Sequence, residues 1–138
     1  MFDRIVVAID ESDHAPTVIA AAAEIAKQSG SQVLVLHVLE VGFAGRAGQV
    51  NLEDSETTHQ LVDDTVAGYS AKGIVASGTV RAATHANVAG IINDEAMKFG
   101  ATTIVTGTRG LGSLSGLLVG STTHKLLHLT KLPVIVIP

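Results

Sequence analysis

Residues 4–39 read RIVVAIDESDHAPTVIAAAAEIAKQSGSQVLVLHVL, and this stretch holds the unit from which the rest of the fold follows. The runs Arg4 to Ile9 and Gln32 to Leu39 are apolar without alternation, as strands of a parallel sheet covered on both faces must be. Between them, from about Ala15 to Ser29, a helix is expected, with Val18, Ile19, Ala22, Ile25 and Ala26 available for packing. Gly30 stands where that helix must close and the chain turn toward the second strand, a position that favours a left-handed residue.

The alternation continues outward. Further Val- and Ile-rich runs lie at Ile74 to Val80, Thr102 to Thr106 and Val134 to Ile137, and the first of these, interleaved with Ser77, Gly78 and Thr79, reads as an edge strand. Val88, Ile91, Ile92, Ala96 and Phe99 recur at spacings of three and four, which predicts a helix whose apolar stripe faces the sheet. A further helix is expected from near Asn51, a capping residue followed by Glu53 and Asp54, with Val62, Val66 and Tyr69 as its buried face. The last helix opens at Gly120 and Ser121, while Gly73 and Gly100 repeat the closing role of Gly30. Strand–helix–strand units in succession predict an α/β fold, a doubly wound domain built from right-handed crossovers.

Composition narrows the function. The 138 residues fit one domain at roughly 150 residues per domain. With 46% hydrophobic and 16% charged residues the chain carries enough apolar mass for a core. Nine Lys and Arg against thirteen Asp and Glu give a formal charge of -4, and 3% aromatics with no Trp argue against nucleic acid as a partner. The absence of cysteine excludes disulfides, thiolate metal sites and a cysteine nucleophile, and suits a reducing compartment. No stretch approaches the roughly 18 apolar residues of a membrane span, and MFDRIVVAID is not a signal peptide, so a cytoplasmic address is expected.

Two long stretches read as irregular: Val41 to Val50, with Gly42, Gly45 and Gly48, and Gly107 to about Val119. Both leave from the carboxyl ends of strands, where open α/β sheets bind ligands. The second begins Gly107-Thr108-Arg109-Gly110 and returns nine residues later at Gly120-Ser121-Thr122. Glycine lets a ligand approach the main chain, and a helix N-terminus offers unpaired N–H groups with about half a positive charge, so the amides around Gly120 and Ser121 are candidate phosphate donors. The competing reading is a loop in which Ser121 is an N-cap worth about 1 kcal/mol. A Walker A loop is excluded because Ser121 and Thr122, not Lys, follow Gly120. A nucleophile elbow is excluded because Leu114 occupies the middle of Gly112 to Gly116. The first strand delivers Asp10, Glu11, Ser12 and Asp13 to the same edge; an acid there can hold a ribose hydroxyl or approach a base, Asp10 is nearest, and one of the four is expected to cap the next helix.

These residues carry a resemblance to the universal stress protein family, in its ATP-binding branch. The family signature is Gly, two residues, Gly, nine residues, Gly and then Ser or Thr, satisfied by Gly107, Gly110, Gly120 and Ser121. The opening RIVVAID, the LHV of the second strand, the GTRGLG segment and the closing PVIVIP agree with it along the whole chain. The resemblance implies a five-stranded parallel sheet in the order 3-2-1-4-5 with four helices, adenine nucleotide alpha hydrolase-like. It implies a nucleotide site made by Ala8, Ile9 and Asp10 after the first strand and by Val38, whose main chain meets the base. Thr106, Gly107, Arg109, Gly110, Gly120, Ser121 and Thr122 would surround the phosphates, with ATP as the ligand and Mg2+ or Mn2+ beside it. It further implies a homodimer through Val134 to Ile137 and a protein partner that the sequence does not name.

The chain departs from the family at two places. Glu11 stands where a glycine is usual between Asp and Ser, and Arg81-Ala-Ala-Thr-His85-Ala-Asn87 replaces a Gly and Pro before the third helix. Among the six histidines, His124 and His128 share a helical face without a marked third ligand, and His37 reads as an interior or interface residue. Gly42, Gly45, Gly48 and Arg46 read either as a cover for bound nucleotide or as a surface loop. No spacing assembles a serine triad or a base for phosphoryl transfer, so no catalytic or metal residue is nominated. The expected function is ATP binding by a regulatory stress-response protein. The rivals are a slow ATPase or autophosphorylating enzyme and a nucleotide-free dimeric scaffold.

Overall fold

The computed structural model describes residues 1–43, 49–51, 55–108 and 120–138. β1 (Arg4–Ile9) is followed by α1 (Ala15–Ser29), β2 (Gln32–Phe43), β3 (Gln49–Asn51) and α2 (Ser55–Ala71). Then come β4 (Val75–Ala83), a short 3-10 turn (His85–Asn87), α3 (Val88–Phe99), β5 (Thr103–Gly107), α4 (Ser121–Leu129) and β6 (Val134–Ile137). The parallel sheet runs β4-β2-β1-β5-β6, which in parallel strands alone is the order 3-2-1-4-5.

Successive side chains of a strand point to opposite faces, so a strand buried on both sides must be apolar throughout. In β1, Ile5, Val7 and Ile9 join Val18, Ala22 and Ala26 of α1 and Val62 and Tyr69 of α2 in one core cluster. Val6 turns to the other face and meets Leu36 of β2, Ile92 and Ala96 of α3 and Leu126 of α4. Both clusters reach complete burial, with Val6, Val7, Leu36 and Leu126 at 0% exposure. Each such side chain contributes about 1.5–3 kcal/mol by leaving water. Tyr69 gives its hydroxyl to the Ile19 carbonyl at 2.8 Å, and burial pushes its phenol above the ordinary range.

The helix-closing glycines behave as the sequence predicts: Gly30, Gly73 and Gly100 have φ of 65°, 81° and 73°. Among the described residues β4 pairs only with β2 and is the expected edge. Its poverty in apolar residues has a packing cause at Gly78, where a Cβ would lie 2.5 Å from Val62 Cγ1 of α2.

Two expectations fail at the same place. Val41 to Val50 is not wholly irregular, because β2 continues to Phe43 and β3 folds back antiparallel, pairing Val41 with Asn51 and Phe43 with Gln49. Asn51 therefore ends a strand instead of capping a helix, and α2 starts at Ser55 with Glu56 as the acid of its first turn. The backbone groups of β3 are committed to the sheet ladder, which outweighs the local capping preference of Asn51. β4 likewise runs to Ala83, three residues past the sequence estimate, and pairs Val38 with Arg81 and Glu40 with Ala83. That extension carries the 3-10 turn up to the carboxyl edge of the sheet.

Candidate functional site

β1 lies between β2, which leads toward β4, and β5, which leads toward β6, so the chain reverses its winding direction at the β1–β5 boundary. Such a switch leaves a crevice at the carboxyl ends of the two strands. Three segments reach it: the loop after β1, the end of β5 and the start of α4.

After β1, Asp10 accepts hydrogen bonds through Oδ1 from the Ser12 amide at 2.9 Å and from the Ser12 hydroxyl. Ser12 Oγ in turn accepts from the His14 amide at 3.3 Å. The N-cap of α1 is His14, which makes no side-chain capping bond, so none of Asp10 to Asp13 caps the helix as expected. Pro16 sits at the start of α1, where its missing N–H costs nothing. Glu11 turns aside: Thr58 of α2, fully buried, donates to its Oε1 at 2.6 Å. His14 Nε2 donates to the Ile137 carbonyl of β6 at 2.9 Å.

After β5, the buried Thr106 and Gly107 lead to Thr108, whose carbonyl accepts the Gly120 amide at 2.7 Å and whose own amide donates to Ile137 at 3.1 Å. Thr123 Oγ1 donates to the Gly107 carbonyl at 2.8 Å. These bonds seat the start of α4 on the end of β5. They also assign the Gly120 amide to Thr108, which removes it from the expected phosphate donors. The amides of Ser121, Thr122 and Thr123 remain as the first turn of the helix, which no intrahelical carbonyl can satisfy. Arg109 and Gly110 lie outside the described residues, as do Gly45, Arg46 and Gly48.

Of the other expected site residues, Ile9 faces the α1 side and Ala8 the α3 side of the sheet. The Ile9 carbonyl is taken by His37 Nδ1 at 2.6 Å, and His37, at 2% exposure, is the interior residue it was expected to be. The last pairing of β1 is Ile9 with His37, so Val38 is the first residue of β2 beyond the end of β1. Arg81, on the neighbouring β4, is ion-paired with the buried Glu95. The rings of His124 and His128 meet edge to face at 4.7 Å, and among the described residues no three His, Cys, Asp or Glu side chains gather.

Sequence reasoning missed one arrangement. His85, from the 3-10 turn, lies between Glu40 of β2, 3.0 Å from its Nδ1, and Ser121 of α4, 3.2 Å from its Nε2. The signal was present in the segment 81–87, which departs from the Gly and Pro usual there, but only the longer β2–β4 register brings Glu40 alongside.

Comparison with known proteins agrees with this architecture. The model of the universal stress protein family matches residues 1–138. Universal stress protein Sll1654 of Synechocystis is 31% identical over 139 residues, covering 100% of this chain and 87% of that protein. Universal stress protein YxiE of Bacillus subtilis is 27% identical over 150 residues, covering 99% of each. Among solved structures, the universal stress protein from Archaeoglobus fulgidus in complex with dAMP is 28% identical with a TM-score of 0.74, covering 100% of both chains. With its whole length matched, the signature glycines present in its sequence and its sheet in the order 3-2-1-4-5, the chain belongs to the universal stress protein family.

Proposed function

We propose that the chain is an ATP-binding regulatory protein that holds the nucleotide at the β1–β5 switch and retains it instead of turning it over rapidly. The observation that carries this reading is the seating of α4 on β5 through the Gly120–Thr108 hydrogen bond. With α4 so seated, the first turn that carries the Ser121, Thr122 and Thr123 amides starts beside the end of β5, and a helix N-terminus favours phosphate without a lysine. The dAMP held by the Archaeoglobus relative supports an adenine nucleotide as the ligand. In this reading Asp10 meets the ribose, the main chain at Val38 meets the base, and Thr106, Gly107, Arg109, Gly110 and Gly120 to Thr122 surround the phosphates. A divalent ion, Mg2+ or Mn2+, arrives on the phosphates, since the described residues gather no carboxylate cluster for it.

The same reading gives the protein a cytoplasmic address, a protein partner that senses the loaded state, and a homodimer through β6. β6 pairs with β5 on one side and its four apolar side chains are only half-buried, which suits a covered edge. Among the described residues no helix is long and apolar enough to cross a membrane.

The test is acid release of any ligand from fresh protein, then calorimetric titration of stripped protein with ATP and Mg2+. Binding of about one ATP per chain, recovered intact after hours, is the expected result. Steady conversion to ADP would make the protein an ATPase, and absence of heat with ATP would leave the glycine segment as architecture.

A further inference from the structure

The six histidines of the chain divide by what their rings do. His14, His37 and His59 donate to the Ile137, Ile9 and Ser55 carbonyls, and His85 stands between Glu40 and Ser121. His124 and His128 differ: among the described residues neither ring has a hydrogen-bond partner, and both side chains are exposed. A neutral imidazole keeps a lone pair on one nitrogen, and on an exposed, uncommitted ring that lone pair is open to a metal ion.

The two histidines stand four apart on α4, whose Thr123 and Leu126 are the buried residues. That spacing places them one turn apart on one face of the helix. Their ring centroids are 4.7 Å apart. Imidazole nitrogen binds zinc at about 2.0–2.1 Å and the ring centre lies about 1.1 Å beyond, so two rings on one ion have centres about 4.5 Å apart at a right angle and about 5.2 Å at the tetrahedral angle. The observed spacing falls between these limits. The 70° between the ring planes is no obstacle, because χ2 of histidine is a broad torsion and no hydrogen bond among the described residues fixes either ring.

We infer that His124 and His128 chelate a divalent transition ion of the zinc and copper class, each through one ring nitrogen, with water in the remaining positions. Imidazole suits Zn2+ and Cu2+ while Mg2+ takes oxygen, so an ion carried by a nucleotide does not compete for the pair. Zinc hydrolases with this spacing place a glutamate after the first histidine as general base; Lys125 stands there, so the pair binds an ion without a base to activate its water. With two protein ligands and no acid or carbonyl to orient the rings, the site exchanges its ion freely. Chelation ties one turn of a nine-residue helix whose N-cap, Gly120, makes no side-chain bond. The inference does not rest on the nucleotide reading.

Calorimetric titration of untagged, nucleotide-free protein with Zn2+ alone tests it. Uptake of about one ion per chain is expected. His124→Ala and His128→Ala should each weaken it about a hundredfold, since a lone imidazole loses the high effective concentration of its neighbour. His59→Ala, whose ring is tied to its own helix, should bind as the unaltered protein does. Zn2+ should raise the thermal midpoint of the unaltered protein and leave that of the double variant unmoved. Both side chains are exposed, so the variants keep the fold, which circular dichroism checks. With Cu2+, electron paramagnetic resonance should show splitting from two nitrogens in the unaltered protein and from one in either single variant. No Zn2+ uptake, or uptake that survives loss of both rings, overturns the chelate, and so does a single-nitrogen Cu2+ spectrum in the unaltered protein.

Discussion

The two sides of the crevice use their polar groups in opposite ways. The loop after β1 is rich in charge, with Asp10, Glu11 and Asp13 in four residues, yet its contacts run inward. Asp10 holds Ser12, Glu11 is held by Thr58, and His14 holds the end of β6. The junction of β5 with α4 has little side-chain charge of its own. Among the described residues its internal bonds, Gly120 to Thr108 and Thr123 to Gly107, lie at the base of the helix. They leave the first-turn amides and the Ser121 hydroxyl at the rim. Under the proposed function the glycine junction is the mouth for the phosphates while Glu11 and His14 of the acidic loop brace the fold, so charge density along the sequence does not mark the phosphate-facing side.

The comparison breaks most visibly if the glycine side is blocked. Gly110→Val sets a branched side chain in the segment that the family resemblance assigns to the phosphates. A loss of about 3 kcal/mol, roughly a hundredfold in ATP affinity by calorimetry, is expected. Unchanged affinity would move the mouth elsewhere. On the brace side, Thr58→Val keeps the volume at a fully buried position and removes the donor to Glu11. Hydrogen bonds to charged groups contribute about 1.5–3 kcal/mol, and because Glu11 is only half-buried water recovers part of that. A stability loss of about 1–2 kcal/mol in urea unfolding is the expected outcome, and none would mean that Glu11 does not brace α2.

This asymmetry was only half legible in the sequence. Parallel strands announce themselves because burial on both faces forces unbroken Val and Ile, and α1 occupies the range expected from about Ala15 to Ser29, with Gly30 marking its end. The glycine signature was legible as a mark of the family, and the family match over residues 1–138 agrees with it. What stayed hidden depends on register. Asn51 looked like a helix cap because capping is local, whereas its pairing with Val41 is set by a strand that runs four residues past its apolar run. Glu11 stood out as a departure from the family pattern, and only the packing of α2 supplies the buried Thr58 that holds it. The Glu40–His85–Ser121 contact joins three elements whose spacing in sequence carries no period, so no motif could reveal it.

Smaller effects sharpen the comparison further. Ser121→Ala removes one hydroxyl from the mouth but keeps its amides, so ATP affinity should fall by about 1–2 kcal/mol, or about five- to thirtyfold. A loss as large as that of Gly110→Val would mean that the hydroxyl also organises the metal ion. The least effect belongs to Glu11→Gln. If the brace holds the carboxylate away from the phosphates, neutralising it should raise ATP affinity by only about 0.5 kcal/mol, roughly twofold, and by less as salt screens the remaining repulsion. In a Thr58→Val background the carboxylate is no longer held, and the same neutralisation should then gain more. The two substitutions therefore couple in a double-mutant cycle read on ATP affinity. Additive effects would mean that Glu11 already faces the nucleotide and that the acidic loop belongs to the mouth.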